Sequence, residues 1–261
     1  MLYQRVTHRG FLVFSTLLFA ASAATTIFWC VSMSALGGMR MPGGWTMSMS
    51  WMRMPGQTWS GAAASFLGMW VVMMMAMMMP SLVPMLWRYR QAVGSIRRLN
   101  WLTTHVAAGY FFVWTLIGIA AFPLGVTLAT LEMQRPALSQ AVPVMAGLVI
   151  VLAGCFQFTR LKARQLACCR ATPGSGRVLP ASTVTAWRHG LRLGIHCSVC
   201  CAGLIAILMV AGTMDLLAMA VVAAAISAER LAPAGERIAR ITGLLIVAAG
   251  LFLTAKAIIG I

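Results

Sequence analysis

An all-α, polytopic membrane helix bundle is what this chain predicts, on three observations. Of its 261 residues 61% are hydrophobic and 9% charged, whereas a soluble domain carries about 25% charged residues. The apolar residues fall in runs of membrane-spanning length. The charge is lopsided, with 20 Lys and Arg against four acidic residues, Glu132, Asp215, Glu229 and Glu236. Because the basic residues sit in short segments between apolar runs, the net charge of +16 is a topology signal, and no nucleic-acid partner is expected.

A helix needs roughly 20 apolar residues to cross the hydrocarbon layer. Such runs lie at about 11–33, 62–86, 103–128, 141–159, 194–212, 216–231 and 241–259, which gives seven spans in one integral membrane domain covering 1–261. The first run follows Arg5 and Arg9 and contains Ala21-Ser22-Ala23, so it also reads as a signal peptide; its continuation to Met33 favours an uncleaved anchor, and cleavage would leave six spans. The second run ends around Pro80 and Pro84, which should kink it and free backbone carbonyls. The sixth is short, bracketed by Asp215 and Glu229, and reads as a tilted helix or a re-entrant hairpin with the fifth. Glu229-Arg230 reads as a local ion pair or cap.

With the amino terminus in the cytoplasm, 16 of the 20 basic residues fall inside, leaving Arg40, Arg53, Arg135 and Lys256 outside. That split is what the positive-inside rule requires of a bacterial-type inner membrane protein. The outer loop at about 34–60 is built from Gly, Pro, Ser, Trp and Met. The inner loop at about 160–193 carries seven basic residues, suited to the anionic head groups of the lipid bilayer.

Chemistry concentrates in two sets of sulfur. At the start of the fifth span, His196-Cys197-Ser198-Val199-Cys200-Cys201 puts three thiols at helical spacings of three and four, so that Cys197, Cys200 and Cys201 reach one ion, with His196 beside them. Cys168 and Cys169, on the preceding inner loop, are on the same side and could complete the shell. Thiolates are soft ligands that suit Cu(I) and also accept Zn(II). Cys30 and Cys155 read as small apolar residues of membrane helices, and His105 as a satisfied interfacial side chain.

Methionine is the second set, with 21 residues. Met39-Arg40-Met41, Met47-Ser48-Met49 and Met52-Arg53-Met54 repeat a Met-x-Met pattern in the outer loop, where thioethers bind Cu(I) in an oxidising compartment. In the second span Met69, Met73 and Met77 recur every fourth residue and form a stripe, with Met78 next to it, although methionine is also ordinary filler for helix packing.

Trp70 to Pro84, Gly194 to Met209 and Gly212 to Glu229 together resemble the predicted metal-binding integral membrane proteins grouped as domain of unknown function 2182. The motifs that carry the resemblance are Ala76-Met77-Met78-Met79-Pro80 and Cys197 to Cys201, and it extends over about residues 60–255. It implies a metal-binding membrane protein without a settled activity. The chain departs from the family pattern at Gln165, where a cysteine is usual, in placing Cys168 beside Cys169, and at Ala202.

The expected function is binding and handling of a soft metal, Cu(I) before Zn(II). The outer loop captures the ion, the second-span methionines offer weak sites, and the inner thiols hold it more tightly. A copper chaperone or a copper enzyme is the expected partner, and oligomeric state is left open. Without a nucleotide-binding loop the chain is not expected to be an ATP-driven pump, nor, on balance, an enzyme. A thiol-disulfide redox or assembly factor, and a structural accessory subunit, are the competing classes.

Overall fold

The computed structural model describes residues 2–259 except 36–38, 42–44, 48–50, 52, 54–55, 95–97, 171–181 and 214. Among the described residues the chain is helical throughout, apart from a two-stranded ribbon of β1 (Met39–Arg40) and β2 (Thr46–Met47). The helices are α1 (Leu2–Ala35), α2 (Trp59–Val93), α3 (Leu99–Gln134), α4 (Pro136–Phe156), α5 (Arg160–Arg170), α6 (Thr183–Ala211), α7 (Leu216–Leu231) and α8 (Gly235–Ile259).

Local chemistry sets several of these ends. Thr58 caps α2 by accepting from the Gly61 backbone N–H, and Asp215 caps α7 by accepting from Leu217 and Ala218. Pro136 opens α4, where its missing N–H costs nothing. Gly212, at φ 115°, ends α6 in a conformation that a side chain would resist.

Six of the described helices, α1, α2, α3, α4, α6 and α8, are long and apolar enough to cross a membrane. Large apolar side chains such as Phe28, Leu244, Phe252 and Ile258 lie on the outside, an arrangement compatible with a membrane protein. The expected sixth span, 216–231, forms the 16-residue α7, too short for that set. A second correction concerns the inner loop: 160–170 is a helix, and α6 begins at Thr183, so Arg188 and Arg192 stand on helical turns. α2 continues through Pro80 and Pro84 as one helix.

The basic helix ends gather at one end of the bundle. Arg88 donates to the Arg170 carbonyl, Arg170 donates to the carbonyls of Ala232 and Pro233, and Arg90 lies over the Phe11 ring at 4.7 Å. The other end carries Trp45, whose indole N–H donates to the Ser139 carbonyl, and Met41, packed on Ala129.

Small residues bring the backbones together. A Cβ at Gly190 would collide with the Val106 carbonyl, and one at Gly194 would stand 3.0 Å from the Tyr110 carbonyl. Gly190 and Gly194 therefore make a close α3–α6 crossing of the small-x-x-x-small kind. The same face of α6, continued by one and two turns, carries Cys197 and Cys201. Gly190→Val is expected to destabilise the bundle by about 1–3 kcal/mol through overpacking. Thermal unfolding in detergent checks this, and an unchanged midpoint would contradict the crossing.

Candidate metal centre

Position along α6 decides which thiol faces which neighbour. Cys197, Cys200 and Cys201 are all buried, with exposures of 0%, 1% and 1%. Adjacent residues on a helix point roughly 100° apart, so Cys200 and Cys201 turn to different sides. The Cys201 thiol lies beside both Cys197 and Cys200, and the Cys169 thiol on α5 lies beside Cys200. The four thiols thus run in file from Cys197 through Cys201 and Cys200 to Cys169.

The arrangement replaces the single three-thiol shell expected from the spacing. Among the described residues, no three His, Cys, Asp or Glu side chains stand around a common point fit for an ion. What exists is a series of sulfur pairs. The Cys197 thiol also lies 3.9 Å from the Met78 thioether and 2.8 Å from the Tyr110 hydroxyl. Two sulfurs bound to one ion at roughly 2.3 Å stand about 3.8 to 4.6 Å apart. The Cys197–Met78 separation falls within that range.

Arg230 supplies the charge. Its guanidinium, 4% exposed, donates to the Cys201 sulfur at 3.3 Å, to the Cys197 carbonyl at 3.4 Å and to the Ser81 hydroxyl at 3.3 Å. Its Nε finds no partner, and among the described residues it forms no ion pair with a carboxylate. Glu229, the adjacent residue, turns the other way and pairs with Lys162 at 2.6 Å. Lys162 also donates to the Cys200 carbonyl at 2.7 Å. The expected Glu229-Arg230 local pair is therefore wrong, because neighbours i and i+1 on a helix do not face each other.

Met78 stands on the same face of α2 as Ser81 and Met85, at spacings of three and seven residues. Met85 packs with Leu166, Cys169, Cys200 and Ala239 in a cluster of its own. Met73 and Met77, from the expected stripe, are buried in the main core, but the thioether brought to a thiol is Met78. Arg230, Tyr110, Lys162, Glu229 and Met85 are neighbours of the thiols that sequence reasoning missed.

A description as copper chaperone belongs to the family model, PpoB2, that matches residues 67–253. The chain belongs to that family. No curated protein and no solved structure matches it. Membership in a copper chaperone family gives the chain a copper-handling role, which takes the resemblance to predicted metal-binding proteins as far as a copper-related family. The matched segment contains the whole sulfur file with Met78, Met85, Tyr110, Lys162, Glu229 and Arg230.

The remaining expected ligands are placed apart. His196 gives its Nδ1 to Gln165 at 2.5 Å and is not directed at the thiols. Cys168 is exposed while Cys169 is buried, since α5 lays only one face on the bundle. Met41 is buried against Ala129, 19 residues from Tyr110 along α3 and so roughly 28 Å from the file along the helix axis. Met39 and Met47 pair across the ribbon, with their side chains outside the described residues, as is Met49 altogether. Cys169, outside the membrane-length helices, keeps its proton: its hydrogen bond to Cys200, then burial, hold the thiol well above its usual range.

Proposed function

We propose that the chain is a single-domain, polytopic inner-membrane protein that binds Cu(I) on its sulfur file and passes it to or from a copper-binding partner at the cytoplasmic end. The observation that carries this reading is Arg230, a buried guanidinium resting on thiols that forms no ion pair with a carboxylate among the described residues. Two thiolates and one Cu(I) make a complex of charge −1, which Arg230 neutralises. Zn(II) on two thiolates is already neutral and asks for four donors in a tetrahedron, a demand that a file of pairs meets poorly. The match to a copper chaperone family supports the same metal.

The end at which the basic residues gather supports an orientation with the amino terminus and α5 inside and the ribbon of β1 and β2 outside. The outer Met39, Met41, Met47 and Met49 capture the ion, and Met73 and Met77 lie on the way inward. Exchange between neighbouring sulfurs moves it without a bare ion in lipid.

Replacing Cys197, Cys200 and Cys201 together by serine is expected to reduce copper from near-stoichiometric to background. Elemental mass spectrometry on detergent-purified protein from copper-supplemented cells measures it, and equal copper in wild type and variant would end this reading. Thiol-disulfide exchange with a partner takes support from the Cys169–Cys200 contact. It predicts trapped mixed disulfides in a chain without metal.

A further inference from the structure

The four thiols of the file divide between two buried clusters. Cys197 and Cys201 belong to the main core with Met78, while Cys169 and Cys200 belong to the separate cluster with Met85 beneath α5. The second cluster holds two thiols and one thioether, and in the main core the thioether beside the Cys197 and Cys201 pair is that of Met78. Met78 and Met85, seven residues apart, lie roughly 10 Å from each other along one face of α2. Cys200 and Cys201 are the point of contact between the two sets.

One buried charge serves both. Arg230 donates to Cys201, and its field also acts on Cys169 and Cys200. The other buried cation beside the file, Lys162, also acts on Cys200, but Glu229 stands 2.6 Å from it and the pair is neutral overall, so Arg230 supplies the net charge. A bis-thiolate Cu(I) complex in either cluster is balanced by Arg230. Complexes in both at once would leave one buried negative charge without a partner, which is costly in a low dielectric.

From this we infer that Cys169, Cys200 and Met85 form a second station for the same Cu(I), filled in alternation with the Cys197, Cys201 and Met78 station and not together with it. The inference rests on the reading of the file as a Cu(I) carrier. Movement between stations is ligand exchange. The bonds from copper to the Cys197 and Cys201 sulfurs break, those to Cys200 and Cys169 form, and copper stays Cu(I) throughout. Cys200 and Cys169 release two protons as Cys197 and Cys201 take up two, so net charge is unchanged and no oxidant or reductant is needed. The exchange carries the ion from α6, inside the bundle, to α5, whose next residue, Cys168, is exposed at the basic end.

The test is the copper-to-protein ratio of the full chain, loaded anaerobically with Cu(I), desalted, and taken from a monodisperse size-exclusion peak. Wild type, Cys197→Ser and Cys169→Ser are each expected to hold one copper, because each single variant leaves one station whole. The double variant is expected to fall at least tenfold. Cys201→Ser removes the first station by its other thiol and is expected to match Cys197→Ser, which covers a failure of either variant to fold. Loss of copper from both Cys197→Ser and Cys201→Ser would mean a single station and overturn the proposal, as would two coppers in the wild type or copper retained by the double variant. No copper in the wild type would bring down the carrier reading itself.

Discussion

Replacing Arg230 by methionine is expected to weaken Cu(I) binding by two to three orders of magnitude. The argument is electrostatic. Removing one partner of a buried charge pair costs about 3–5 kcal/mol because the other is left uncompensated, and each 1.4 kcal/mol is about tenfold in affinity. Here the partner left behind is the monoanionic copper complex on the thiols that Arg230 touches. Among the described residues no carboxylate forms an ion pair with Arg230, and methionine keeps the apolar stem, so the metal-free chain is expected to fold. Arg230→Lys keeps the charge and should recover most of the affinity. A bis-thiolate zinc complex is neutral, so Zn(II) affinity should change little and the preference for copper over zinc should collapse. Competition against a Cu(I) chelator, with a parallel zinc titration, measures both. If the two metals weaken alike, Arg230 merely holds the shape of the site and the charge argument fails.

Why Arg230 escaped the sequence reading is instructive. Glu229 and Arg230 stand side by side, and opposite charges side by side suggest a local pair, yet on α7 they point apart, one to Lys162 and one to Cys201. The signal was present in the arithmetic of charge: with four acidic residues for 20 basic ones, most basic side chains must find partners other than a carboxylate. Helical class and the basic end were legible because long apolar runs and the basic segments between them are written directly in the composition. The thiols of α6 were legible in their spacing, but their division into pairs was not, since it depends on what faces each side of the helix. Cys168 and Cys169 could not be told apart without knowing which face α5 lays down. The length of α7 was the weakest element of the topology, and the acidic Asp215 and Glu229 bracketing its apolar run already marked it as short.

Glu229→Gln is expected to cost about 3–5 kcal/mol of stability, the usual penalty for breaking a buried ion pair from one side. The Glu229 and Lys162 side chains are 2% and 1% exposed, and the pair ties α5 to α7 while Lys162 also holds the Cys200 carbonyl. Lys162→Met alone should cost a similar amount, by leaving the carboxylate buried. Replacing both, as Lys162→Met with Glu229→Leu, removes both charges together and should be far less destabilising than the two single changes summed, since an apolar pair of similar volume often substitutes for a buried ion pair at little cost. Thermal unfolding of the wild type, Lys162→Met, Glu229→Leu and the double variant closes the cycle, and strictly additive effects would mean that the two side chains do not interact. The same substitution bears on copper. Glu229→Gln releases the charge of Lys162 beside Cys200, which gives the second station a cation of its own. If alternation is enforced by a shared Arg230, this variant is expected to load a second copper that the wild type refuses. A ratio unchanged at one would show that something other than charge keeps the two stations from filling together.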